Sequence, residues 1–235
     1  MKKEQFWKNY FKTYDILNNI IPYQNLIHTI IDNLDIRKGD KILDVGSGTG
    51  NIAIRAKKLG GDVVGIDASQ AGAELHKNKD KTADVVIQDI TQIPWPFKDN
   101  IFDKVYSNNT IYAIEREKRE IIFKEIYRIL KPGGIFVVSN IIEGFSPIKI
   151  YFSHISSSFR VNGFMNTFID IIKLTVPTVK MFYYNYFIKR ENKKGSFDFF
   201  SNGEQKKLLE KSHFKGIGDD VILYAGQAVL NKAVK

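Results

Sequence analysis

Hydrophobic positions change period along this chain, and the changes mark its organisation. Tyr14, Ile16, Leu17, Ile20, Ile21, Leu26, Ile27, Ile30, Ile31 and Leu34 recur at helical intervals, with Pro22 expected to separate two helices. From Lys41 onward short apolar runs alternate with amphipathic ones. Lys41–Val45, Asp62–Asp67, Ala83–Asp89, Phe102–Ser107 and Ile135–Ser139 read as strands. Asn51–Leu59, Gln70–Lys79 and Glu115–Leu130 read as helices, the first closed by Gly60-Gly61 and the last by Lys131-Pro132-Gly133-Gly134. Strands alternating with helices imply a parallel sheet with helices on both faces, because parallel neighbours need crossovers. Two late runs, Gly218–Tyr224 and Gln227–Ala233, joined by Ala225-Gly226, predict a hairpin, so at least one late strand should run antiparallel. The expected fold is α/β: a Rossmann-like, doubly wound sheet of about seven strands, mostly parallel.

Composition removes several chemistries. The chain of 235 residues has no cysteine, which excludes disulfides, thiolate zinc sites and a cysteine nucleophile. No uncharged apolar run reaches the roughly 18 residues of a membrane span. The best stretch, Phe164 to Ile188, is broken by Asp170, Lys173, Pro177 and Lys180, and no signal-peptide core follows Met1, so a cytoplasmic location is expected. His28, His76, His154 and His213 include no pair at metal-ligand spacing, so no metal is expected. The net charge of +9 attracts acidic partners, and about two-thirds of the excess lies between residues 141 and 215.

In doubly wound sheets, ligands bind beyond the carboxyl ends of the strands. There the sequence places Gly46-Ser47-Gly48-Thr49-Gly50, Asp67, Asp89 and Ser107-Asn108-Asn109. The glycines permit a tight strand-to-helix turn and a close approach of ligand to bare backbone. Asp67, about 20 residues past Gly46, is placed to accept both hydroxyls of a ribose. Asp89 could accept from an adenine amino group, and Asp44 could help hold an ammonium. These features describe an adenosine-containing ligand with a cationic tail. A nicotinamide dinucleotide is disfavoured because the third glycine of G-x-G-x-x-G is Asn51, and a P-loop is excluded because no Lys-Ser or Lys-Thr follows the glycines.

Ile42–Gly50 resembles the first motif of class I S-adenosylmethionine-dependent methyltransferases, and Val64–Ser69 is similar to their second. Gln88-Asp89-Ile90, Ile93–Phe97 with Phe102–Val105, and Glu125–Gly134 resemble the motifs that follow, in order and spacing over about residues 40–140. The resemblance implies S-adenosyl-L-methionine as cofactor and S-adenosyl-L-homocysteine as product. It implies that Gly46 and Gly48 pack on the methionine and ribose parts, with Ser47 in the same loop. Asp67 would hold the ribose with Ala68 beside the adenine, Asp89 and the Ile90 backbone would read the adenine, and Ser107 and Asn108 would face the methionine end. Tyr14-Asp15-Ile16-Leu17-Asn18 is similar to a segment of ubiquinone/menaquinone-biosynthesis C-methyltransferases, which would place Tyr14 over the cofactor in a lid. Those enzymes carry a Gly-Leu-Arg-Asn-type stretch where this chain has Ser107-Asn108-Asn109-Thr110.

One methyltransferase domain is therefore expected over residues 1–235: an N-terminal helical lid (1–38), a cofactor-binding core (39–140), a helical substrate cap (141–215) and a C-terminal hairpin (216–235). The cap region holds about half of the chain's aromatic residues. Met165, Phe168, Ile169, Ile172, Leu174 and Val176 could form one face of a helix closing over the acceptor. Lys149, Arg160, Lys173, Lys180, Lys189, Arg190, Lys193 and Lys194 beside these residues suit an amphipathic acceptor or an anionic membrane surface. A small-molecule or lipid/quinone-like acceptor follows as the expectation. Nucleic acid is disfavoured, since no Asp/Asn-Pro-Pro-aromatic motif follows the fourth strand. Tyr14 and His154 are the candidate catalytic groups. A non-catalytic cofactor-binding sensor or partner subunit is the alternative.

Overall fold

The computed structural model describes residues 3–193 and 197–235; Lys194 of the expected basic set, and the side chains of Lys173 and Lys193, lie outside the described residues. Seven strands form one sheet in the order β3-β2-β1-β4-β5-β7-β6. They are β1 (Lys41–Val45), β2 (Asp62–Asp67), β3 (Asp84–Ile87), β4 (Phe102–Asn108), β5 (Leu130–Ile141), β6 (Val221–Leu223) and β7 (Ala228–Val234). The first five pair in parallel, whereas β7 is antiparallel to both β5 and β6. The sheet therefore matches the doubly wound expectation, including its antiparallel end. Order reverses at β1, so the carboxyl ends of β1, β2 and β4 open onto one crevice.

The crossovers are α3 (Asn51–Lys58), α4 (Gln70–Lys79) and α5 (Arg116–Ile129). The last faces the sheet with Ile122, Phe123, Ile126 and Ile129, all buried at helical spacing. Strand β5 begins earlier than the glycine-rich stop suggested. Leu130 already pairs with Phe102, and the register shifts before Ile135 meets Lys104, so Lys131–Gly134 form an irregular stretch within the strand rather than a loop before it.

At the N-terminus, α1 (Lys3–Tyr14) leads through a 3₁₀ turn (Asp15–Asn19) into α2 (Ile21–Leu34). The helices part at the extended Ile20, and Pro22 marks that boundary from the helical side. It sits in the first turn of α2, where its missing N–H costs nothing.

The expected cap resolves into two different things. Residues 147–193 form α6 (Pro147–Lys193), whose backbone leaves helical geometry at Gly163 (φ 74°, ψ 176°). A continuous helix would hold Tyr151 and Phe182 about 46 Å apart, yet their ring centroids are 6.0 Å apart. The Thr167 hydroxyl also donates to Ser158 Oγ at 3.1 Å. Helix α6 is thus a hairpin of two antiparallel arms folded at Gly163. By contrast α7 (Glu204–Lys211) packs on α5 and β7 as part of the core, not the cap.

Arg119 of α5 ties the returning chain to that core. Only 1% exposed, its guanidinium donates to the carbonyls of Tyr112 and Asp198 while its Nε donates to Ile114 O, and it pairs with Glu204 at 3.3 Å. Phe200 stacks under it at 4.3 Å. Removing a buried charge from such a cluster leaves its partners unsatisfied. Arg119→Met should therefore lower unfolding free energy by about 3 kcal/mol, measured by urea denaturation.

Candidate functional site

A cavity of about 300 Å³ lies at the carboxyl ends of β1, β2 and β4. Its floor is the turn after β1. The amides of Gly46 and Ser47 both donate to Ile66 O, and the Gly48 amide donates to Asp67 Oδ2 at 2.8 Å. Asp67 Oδ1 accepts from the Ser69 amide at 2.7 Å, so one carboxylate holds the β1 turn to the start of α4. Gly46 (φ 77°) has no room for a side chain, since a Cβ there would stand 2.2 Å from Thr110 Oγ1. A Cβ on Gly48 (φ 49°) would meet the Phe11 ring of the lid at 3.1 Å.

The sequence-derived residues converge here with two exceptions. Asp44, Gly46, Ser47, Gly48, Asp67, Ala68, Asp89, Ile90, Asn108 and Tyr14 all line the cavity. Ser107 does not; it is buried with its hydroxyl donating to Val45 O at 3.0 Å, inside the sheet. Its neighbours Asn109 and Thr110 line the cavity instead. His154 also lies elsewhere. Its Nδ1 accepts the Ile21 amide at 3.3 Å, capping the start of α2 from the first arm of α6. His154 is not among the side chains that border the cavity.

The roof comes largely from residues that sequence reasoning passed over. Trp7, Tyr10 and Phe11 of α1 line the cavity beside Tyr14, with Tyr23 of α2 and Tyr224 before β7. The signal was present: positions 7, 10, 11 and 14 follow the helical period and are all aromatic. Tyr23 donates to the Tyr14 hydroxyl at 3.2 Å. Burial pushes the hydroxyls of Tyr10, Tyr14 and Tyr23 above their ordinary range, so at neutral pH they are protonated donors rather than bases. The α6 aromatics expected over the acceptor are mostly turned outward; from α6 only Met181 and Asn185 border the cavity among the described residues.

A latch fixes the lid. Asp15 accepts from Thr49 Oγ1 at 2.7 Å and from Lys79 Nζ at 2.9 Å. The same ammonium donates to Asn51 Oδ1, which ties the first residue of α3 to the end of α4.

The electrostatics of the cavity run against those of the chain. Asp44, Asp67 and Asp89 line it, and no lysine, arginine or histidine does so among the described residues. Burial pushes Asp44 up to about 8, against the favourable Tyr106 hydroxyl, and the nearby Asp67 charge adds to the rise. Asp67 is likewise raised by burial, in opposition to its two amide donors. Ser47 Oγ and the side-chain carbonyl oxygens of Asn108 and Asn109 are buried without a hydrogen-bond partner. Such orphaned groups are costly unless a ligand satisfies them. Acids, unpaired polar atoms and aromatic faces in one cavity suit a polar, cationic ligand carrying a flat ring.

Comparisons with known proteins agree with this geometry. A methyltransferase domain model matches residues 43–138. A demethylmenaquinone methyltransferase of Staphylococcus aureus is 35% identical over 140 residues, covering 56% of this chain and 56% of that protein. The chain thus aligns with little more than half the length of the curated relatives it matches. In fold, an S-adenosylmethionine-dependent methyltransferase of Aquifex aeolicus superposes with a TM-score of 0.61 at 15% identity, over 97% of each chain. Phosphoethanolamine N-methyltransferase 2 of Haemonchus contortus, solved with S-adenosyl-L-methionine, superposes with a TM-score of 0.63 at 19% identity, over 97% of this chain and 57% of that one.

If the Asp15 latch holds the lid, Asp15→Asn should raise amide exchange in α1 and the 3₁₀ turn by about fivefold or more, while α5 and β5 stay as protected as before. Hydrogen exchange with mass spectrometry reads both regions at once.

Proposed function

Residues 43–138 being a class I S-adenosylmethionine-dependent methyltransferase domain, we propose that this chain binds S-adenosyl-L-methionine in the β1–β2–β4 crevice and transfers its methyl group to an apolar, lipid- or quinone-like small molecule. One observation carries the reading: a cavity lined by three carboxylates and no basic side chain among the described residues, in a chain of net charge +9. A dinucleotide or a nucleoside triphosphate, rich in phosphate, would find no counter-charge there.

The residues present fit the cofactor. The free lone pairs of Asp67 would take the ribose hydroxyls. Asp89 and the Ile90 backbone would receive the adenine, beside Ala68. Asp44 would stabilise the ammonium, with Ser47 and Asn108 satisfying their orphaned atoms on the amino-acid end. In this reading residues 1–38 act as the lid, 39–140 as the cofactor-binding core, the α6 hairpin supplies the cap, and α7 with residues 216–235 completes the core and closes the sheet.

The cofactor supplies an activated methyl on a sulfonium, whose positive charge disappears in an in-line displacement. The protein's task is alignment and exclusion of water. The roof of Tyr10, Tyr14, Tyr23 and Tyr224 would do both: the rings shield the site, and the Tyr14 hydroxyl, itself accepting from Tyr23, would orient an acceptor oxygen by donation. The same cavity is also bordered by Tyr112, Ile141 and Phe145, largely apolar side chains to which the cofactor reading assigns no role. The name of the Staphylococcus aureus relative supports a quinone-like acceptor against those side chains.

Calorimetry should register binding of S-adenosyl-L-methionine and of S-adenosyl-L-homocysteine. Asp67→Ala should weaken both by about a hundredfold, given charge-assisted hydrogen bonds to two hydroxyls. Formation of S-adenosyl-L-homocysteine should depend on a demethylated quinone supplied in its reduced, electron-rich quinol form in detergent, whose displaced ring proton is released to solvent as the new carbon–methyl bond replaces the carbon–hydrogen bond, and not on soluble amines or catechols. Absence of heat with either cofactor form would remove the proposal.

A pH dependence follows from Asp44. In the free protein this acid titrates near pH 8 and is largely protonated at neutrality. A cation favours its ionised form, so binding must release a proton below that pH. Affinity should climb as pH rises from 6 to 8 and level off above it, and Asp44→Asn should flatten the profile. Calorimetry in buffers of differing ionisation heat counts the released proton.

A further inference from the structure

The α6 hairpin leaves its apolar stripe uncovered. On the second arm, Phe164, Met165, Phe168, Ile169, Ile172, Val176, Val179 and Tyr183 are exposed, and at 100° per residue they fall within one arc of roughly 140°. The opposite side carries Thr167, Leu174, Met181 and Ile188, which are buried. Exposure is greatest at the fold itself, with Val161 at 74% and Phe164 at 72%. On the first arm, Ile148, Phe152 and Phe159 form a second exposed stripe, and the Phe159 and Phe164 rings stack at 5.7 Å across the fold.

Charge decides what covers this surface. Residues 147–193 contain seven basic and two acidic residues. Lys149, Arg160 and Lys180 are exposed, and on the helical period they flank the apolar stripes. A second copy laid face to face would bring the same positive fringe against itself. An anionic bilayer presents the complement, with an apolar interior for the rings and phosphates for the amines. No helix among the described residues is long and apolar enough to cross a membrane, so the contact would be peripheral. The base of the arm meets the catalytic crevice: Met181 and Asn185 border the cavity, and Thr13 of the lid donates to Met181 Sδ at 3.7 Å.

We propose that the α6 hairpin is a membrane-docking arm whose apolar tip, folded at Gly163, seats in the interfacial layer of an anionic bilayer and holds the cavity beside the lipid from which its acceptor comes. The last clause rests on the apolar-acceptor reading above; the docking does not, and is measured without acceptor or cofactor.

The test is co-sedimentation of the full chain with phosphatidylcholine vesicles, with and without phosphatidylglycerol, at low and high salt. Binding should require the anionic lipid and fall as salt rises. Lys180→Gln and Arg160→Gln should each weaken it by about fivefold, the effect of one basic charge at such a surface. The pair Phe164→Asp and Met165→Asp should abolish it while near-ultraviolet circular dichroism and the thermal unfolding midpoint stay those of the parent, which shows that the variant is folded without recourse to the cofactor and keeps the two proposals separable. A chain that stays in the supernatant with anionic vesicles at low salt overturns the proposal. So does a tip variant that binds as the parent does. A dimer that forms without lipid and is lost in the tip variant would assign the face to a second copy instead.

Discussion

The clasp of Asp67 on two backbone amides organises the site. Parallel pairing of β1 with β2, with Val45 opposite Ile66, brings the ends of the two strands side by side. One carboxylate can then accept from Gly48 in one turn and Ser69 in the next. Each amide is a donor with no partner in regular structure, one in the turn leading to α3 and one ahead of α4, and an ionised carboxylate is the strongest neutral-pH acceptor a side chain offers. With the turn fixed, Gly48 presents a bare surface on which Phe11 lies, and Gly72 supports the same ring from α4. The lid therefore rests on a surface that the clasp creates.

Charge is divided between the crevice and the α6 arm. The acids face inward at the crevice, while the basic excess gathers on an outward arm. The two arrangements serve different scales. Inside a low-dielectric cavity a few carboxylates act strongly on one cationic group. Outside, a band of amines in water acts weakly per charge and needs an extended, oppositely charged surface to add up. A basic crevice would repel a cationic group, and an acidic arm would repel an anionic surface.

The core was legible because its signals are local. A glycine turn after a strand and an acid at the next strand end specify backbone geometry within a few residues, so Gly46, Gly48, Asp67 and Asp89 could be placed in advance. Ser107 and Asn108 could not both face the crevice, because successive side chains of a strand point to opposite sides; only Asn108 and the residues after the strand reach it. His154 was illegible for another reason. Its partner is the Ile21 amide, 133 positions away, and no periodicity announces a contact between elements so distant in sequence. The stripe on α6 was visible as a stripe. Periodicity reveals that one side is apolar but not whether protein covers it, and here it mostly does not. The break at Gly163 had a local signal, the turn dipeptide Asn162-Gly163, which the sequence reading passed over and where the backbone turns the chain back.

The placement of β7 has a consequence for how the molecule is made. Strand β5 is flanked on one side by β4, but its other neighbour, β7, lies some 90 residues further along the chain. During vectorial synthesis on a ribosome the five parallel strands can assemble while the hydrogen-bonding edge of β5 has no partner, and the whole α6 arm emerges in that interval. An open strand edge and an uncovered apolar hairpin then coexist on one nascent chain, both adhesive toward other polypeptides. Chaperone demand should therefore peak late in translation, after the five parallel strands have already folded and just before the sheet acquires its seventh member.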